Sequence, residues 1–232
     1  MSTNGFVKGK LYRFLDYVLR LILLNFLIVI PSFLLLFIYS FFSKETETLW
    51  FYLTLVPVII WFFPSIVAVA DVIRQYEDDK TNTIFKDFFK SFKKLFIKSF
   101  IVGIIIYLIV ILFYNSFNFF NTNQAKSVGY LIGLIVTISF IFVAVFLIIH
   151  IPLVIAYFPD LSIIQYLKLS LIMAFKDFGS TFLMVTFAII IGVLSALIYY
   201  VMFLGGISVI IYLMVKLSFK SYIKIYRKVE KE

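Results

Sequence analysis

The chain has 232 residues, 63% hydrophobic and only 14% charged, where a water-soluble globule carries about 25% charged residues to cover its surface. That composition excludes soluble domains and leaves an integral membrane protein. The net charge of +9 then reports orientation and contact with anionic lipid, not nucleic acid.

Lys8, Lys10, Arg13 and Arg20 precede a first apolar run that superficially resembles a secretory signal. At about 22 residues, Leu21 to Phe42 is too long for one, and no small-x-small cleavage site follows. It is expected to stay as span one (21–42), with Pro31 tolerated because a neighbouring helix can satisfy the carbonyl it frees. Span two (50–73) starts with Trp50 and Tyr52 at a headgroup boundary. A first interfacial helix (83–97) leads into span three (99–119), which ends in an Asn-rich segment, and span four covers 129–156.

A second interfacial helix (161–177) opens with a capping box, Ser162-x-x-Gln165, and a hydrophobic staple of Leu161 and Tyr166. The apolar stretch from Phe178 to Leu217 is about twice the length of a span. It is expected to fold at Leu204-Gly205-Gly206 into span five (180–203) and span six (205–222), with Lys216 snorkelling to the interface.

The fold class is therefore an all-α integral membrane protein: six transmembrane helices plus two interfacial helices on the cytoplasmic side. Nineteen of the 21 Lys and Arg residues fall on one side of this threading and only Lys44 and Lys126 on the other. By the positive-inside rule both termini are cytoplasmic. A five-span reading would place the six cations from Lys216 onward outside, and is rejected for that reason.

In the first interfacial helix Phe85, Phe88, Phe89, Phe92, Leu95 and Phe96 recur at three and four positions. Lys86, Asp87, Lys90, Lys93 and Lys94 take the other face, the pattern of a helix lying in the interface. Phe63-Pro64-x-x-x-Ala68 in span two has a counterpart in Ile151-Pro152-x-x-x-Ala156 in span four. Lys94-Leu95-Phe96 before span three is likewise matched by Lys176-Asp177-Phe178 before span five. Both units run span, cytoplasmic helix, span, which leaves a parallel internal repeat open.

With these residues in view, the chain resembles the YesL-like family of bacterial integral membrane proteins (domain of unknown function 624). The resemblance rests on Pro64 and Ala68, Arg74 at the cytoplasmic helix end, a short acidic linker, the Phe-rich basic helix (Phe85, Phe88, Phe92, Lys94, Phe96) and Gly103. The opening from Tyr12 to Asn25, with Arg13 and Arg20, is similar too. The family implies a multi-span protein of the bacterial cytoplasmic membrane, often linked with carbohydrate uptake systems, and no catalytic residues. Asp71 stands where the family pattern has a small or apolar residue, so no role carries over to it.

Four polar residues form a candidate cluster at the inner interface: Arg20, Asp71, Arg74 and His150. Asp71 is the one carboxylate within the apolar runs. Counted from Trp50, it falls at the inner boundary, where Arg74 or Arg20 can pair with it. His150 falls at similar depth, its hydrogen expected on a backbone carbonyl near Pro152. If the repeat holds, Asp71 and His150 face each other. Lys86, Lys90, Lys93 and Lys94, with Phe85, Phe88 and Phe92, are candidate contacts for anionic lipid headgroups or a protein partner, or serve orientation alone.

No H-E-x-x-H, G-x-S-x-G or Walker sequence occurs. No catalytic, cofactor-binding or metal-binding residue is assigned. The expected function is a non-enzymatic accessory or partner-docking component of an uptake system. The alternatives are a small transporter or channel with a path near Asp71 and His150 or, more weakly, lipid organisation by the Phe/Lys helix.

Overall fold

The computed structural model describes residues 10–42, 56–77, 83–123 and 127–229, and all the regular structure in them is helical. The helices are α1 (Lys10–Phe42), α2 (Val56–Glu77), α3 (Ile84–Asn123), α4 (Val128–Tyr157), α5 (Ile163–Lys176), α6 (Phe178–Leu197) and α7 (Ile207–Val229). All but α5 are long and apolar enough to cross a membrane, six among the described residues. Trp50, Tyr52, Lys44, Lys126 and the acidic linker lie outside the described residues.

The centre of the bundle is α2, which packs on α1, α3, α4 and α7. Val67, Ala68, Val69 and Ala70 are wholly buried there, facing an equally buried stretch of α4 from Ile151 to Ile155. Pro31 sits inside α1 and lacks the N–H that would bond Leu27 O. Trp61 of α2 supplies the missing donor, its Nε1 reaching that carbonyl at 3.1 Å. The compensation expected from a neighbouring helix therefore has a named partner.

One expectation is corrected. The basic helix does not lie apart in the interface plane, because it and span three are a single 40-residue helix, α3. No proline or glycine separates Ile84 from Phe100, so nothing in the chain stops the first helix before the apolar span begins. The N-terminal part of α3 instead packs along α2, where Phe88, Ser91, Leu95 and Ser99 are buried.

The second polar segment behaves differently. Ser162 caps α5, its Oγ accepting from Gln165 N while Gln165 Oε1 accepts from Ser162 N, a complete capping box. The last carbonyls ahead of it are also covered, since Lys98 Nζ donates to Pro159 O and Leu161 O and Tyr166 Oη donates to Pro159 O. Burial, with Asp160 nearby, pushes the Tyr166 phenol up to about 12, so it remains a donor at neutral pH.

The long apolar stretch turns between Ile198 and Gly206, around the expected glycines. Gly205 has φ +155°, a conformation that side chains with a Cβ disfavour.

Candidate functional site

Asp71 is almost wholly buried, yet every donor it needs is supplied by its neighbours. One turn on, Arg74 Nη2 donates to Oδ1 at 2.6 Å and Gln75 Nε2 to Oδ2 at 2.7 Å. From α3, Ser91 Oγ donates to Oδ2 at 2.7 Å. All three bonds are charge-assisted, and the one from Ser91 ties the N-terminal part of α3 to α2. The Arg74 guanidinium also lies over the Tyr157 ring of α4, 5.4 Å from its centroid.

His150 is fully buried between α4, α6 and α7. Its Nδ1 lies 2.9 Å from Tyr222 Oη and its Nε2 lies 2.8 Å from Thr181 Oγ1. Thr181 Oγ1 also lies 3.0 Å from the carbonyl oxygens of Ala174 and of Asp177, to either of which its single hydrogen can be donated. With that hydrogen on a carbonyl, Thr181 Oγ1 accepts from Nε2–H and Nδ1 accepts from Tyr222; with it on Nε2, Nδ1–H donates to Tyr222 Oη. The expected carbonyl partner near Pro152 is replaced by two hydroxyls on other helices.

The four-residue cluster divides. Arg74 pairs with Asp71, but Arg20 bonds Asp16 at 2.8 Å on its own helix and lies over the Tyr76 ring at 4.6 Å. Asp71 and His150 do not pair, since the bonding positions of both are taken by other groups. They are linked only indirectly, through Arg74, Tyr157 and Tyr222, with the two tyrosine rings stacked at 4.9 Å. Lys216 is not free at a helix end: it lies inside α7 and bonds Glu77 of α2 at 2.8 Å.

The basic face of α3 also divides. Lys86, Lys90, Lys93 and Lys94 are exposed, as are Phe85 and Phe89. Phe88 is wholly buried and Phe92 half-buried, both within an aromatic ladder running Phe88, Phe92, Phe96, Phe100. Phe88 is thus core, and of the three phenylalanines expected to make contacts only Phe85 is fully available.

Asn25, at the end of the helix-one opening, joins α1 to the α6–α7 corner through four hydrogen bonds. Fully buried on α1, its Nδ2 donates to Met202 O and Phe203 O at 2.7 and 2.9 Å. Its Oδ1 accepts from Ile207 N and Ser208 N, both at 3.2 Å. One amide thereby satisfies the carbonyls on one side of the α6–α7 corner and the first amides of α7 on the other. A carboxamide inside an apolar run was the available signal, because it needs a partner there.

Among the described residues, no group of three His, Asp or Glu side chains is arranged to hold a metal ion. Residues 45–119, about a third of the chain, match the family described as "Protein of unknown function, DUF624", the family of the YesL-like proteins. The match spans α2 and nearly all of α3, the pair joined by Asp71 and Ser91. No curated protein and no solved structure matches the chain.

Proposed function

We propose that this DUF624-family membrane protein is a non-enzymatic docking component of an uptake system in the bacterial cytoplasmic membrane, with both termini cytoplasmic. The observation that carries this reading is the division of α3. One face is locked to α2 by Phe88, Ser91 and Leu95, while the other offers Phe85, Phe89 and four lysines on a rigid support. An apolar and cationic surface held in place by a buried carboxylate suits a partner with acidic and apolar residues at the inner membrane face. Anionic headgroups compete for the same lysines, at about 1 kcal/mol each.

The test is co-purification from native membranes with Lys90, Lys93 and Lys94 all changed to Glu. Loss of a transporter subunit that the unaltered protein retains supports docking. An unchanged set of partners overturns it.

The second reading, a small transporter, is favoured by the contact chain from Asp71 through Arg74, Tyr157 and Tyr222 to His150. Solute or proton flux into liposomes that Asp71→Asn abolishes, in a variant that still folds, would replace the docking reading.

A further inference from the structure

α3 carries its own depth scale. Its exposed stripe runs Lys86, Lys90, Lys93 and Lys94, then changes to Ile97, Ile101, Leu108 and Leu112. No charged residue follows Lys98 up to Asn123, so along α3 the hydrocarbon begins at Ile97. About 20 residues from there cover the roughly 30 Å core and end in the Asn-rich part of the helix. Phe89 and Phe85, both half-exposed, then lie about 12 and 18 Å outside that edge along one continuous helix. The headgroup layer is only about 5–8 Å deep on each side, and an average tilt of about 20° shortens those distances by under about a tenth.

Helix side chains also lean toward the N-terminus, which here is away from the bilayer. Lipid contact therefore accounts for Lys93 and Lys94, within about 6 Å of the edge, but not for Phe85 and Phe89 or for Lys86 and Lys90 beside them. Those four side chains make two parallel rows, a phenylalanine pair one turn apart and a lysine pair one turn apart. Asp87, the one acid on α3, accepts from Thr83 N at the helix start. A partner helix repeats its own apolar and acidic rows at the same one-turn interval, so it meets both rows at once. Resting on the docking reading above, we propose that Phe85, Lys86, Phe89 and Lys90 form the docking site for an acidic amphipathic helix in the water-exposed part of the partner. Lys93 and Lys94 engage the anionic headgroups instead.

The chain has no cysteine, so Phe85→Cys, Phe89→Cys and Ile97→Cys each take a single spin label in liposomes. Labels at the first two are expected to collide with a water-soluble nickel chelate, and the label at Ile97 with oxygen dissolved in the hydrocarbon. Hydrocarbon-type collisions at Phe85 and Phe89 overturn the proposal. In native membranes, Phe85→Ser combined with Phe89→Ser keeps all four lysines and is expected to lose the subunit that the triple lysine variant loses. If the lysine variant loses it and the phenylalanine variant retains it, docking stands on charge alone and this site is wrong. If both retain every partner, the docking reading falls as well. A benzophenone on Lys93→Cys, beside the site, is expected to crosslink a partner segment with Asp or Glu at helical spacing. Crosslinks confined to lipid, to a second copy of this chain or to a segment without such acids overturn the proposal.

Discussion

Asp71 and Arg74 show why a charge inside an apolar run is kept. The carboxylate is buried and carries three donors, so removing it strands a cation that is itself four-fifths buried. Asp71→Leu is expected to cost about 3–5 kcal/mol of stability, the usual penalty for leaving one partner of a buried pair uncompensated. Asp71→Asn keeps the shape and two of the hydrogen bonds, and should cost less. Thermal unfolding in detergent separates the two, and equal effects would show that charge is not what matters. Asp71 itself was legible, as was its pairing with Arg74 three residues on. Ser91 was not, because a serine among lysines has no local mark that it faces a carboxylate across helices. Asn25 stands out as a carboxamide in an apolar run, but its four partners do not, since they are backbone groups and leave no side-chain signature. Asn25→Ala removes all four, and at the roughly 0.6 kcal/mol typical of interhelical hydrogen bonds in membranes it should lose about 2–3 kcal/mol.

At the level of elements, α3 is where pattern and architecture part. Its phenylalanine period was readable, and so was the helix that period implies. The break expected before Ser99 came from the idea that a basic amphipathic segment lies in the interface, and no residue there supplies one. By contrast, Pro159 and the Ser162 capping box make the start of α5 legible, and the structure has it. Continuity is measurable: spin labels at Lys86 and Asn121, both exposed, should sit about 52 Å apart along one helix at 1.5 Å per residue. A helix turned through a right angle at Ser99 would give about 38 Å by the same rise. The corner between α6 and α7 was marked by its glycines. Gly205→Ala forces φ +155° on a residue with a Cβ, and about 1–3 kcal/mol of strain is expected to appear as a lower unfolding temperature.

For the whole molecule, six helices of membrane-crossing length and the one-sided distribution of cations describe the same threading, and the buried contacts add depth to it. Thr181, His150 and Tyr222 meet at one level. From that level α6 climbs sixteen residues to Leu197 and α7 fifteen to Ile207, in each case about 23 Å at 1.5 Å per residue. The two routes agree, and both fall short of the roughly 30 Å hydrocarbon core. Lys216 with its partner Glu77 lies only nine residues from Ile207, which brings the corner to about 14 Å from that charged layer. With the His150 level taken as the inner boundary, the turn is expected below the outer surface, where unpaired backbone is tolerated only if protein satisfies it; Asn25 supplies those bonds. Gly206 is buried beside it, so a cysteine there is a poor reporter of an outside face. Ser127, exposed between α3 and α4, is the better one. A membrane-impermeant maleimide should label Ser127→Cys in intact cells, label Lys220→Cys only after permeabilisation, and react slowly with Tyr200→Cys despite that residue's 75% exposure in the isolated chain. Labelling of Ser127→Cys from the cytoplasmic side alone would invert the threading, and fast labelling of Tyr200→Cys from outside would place the corner at the surface.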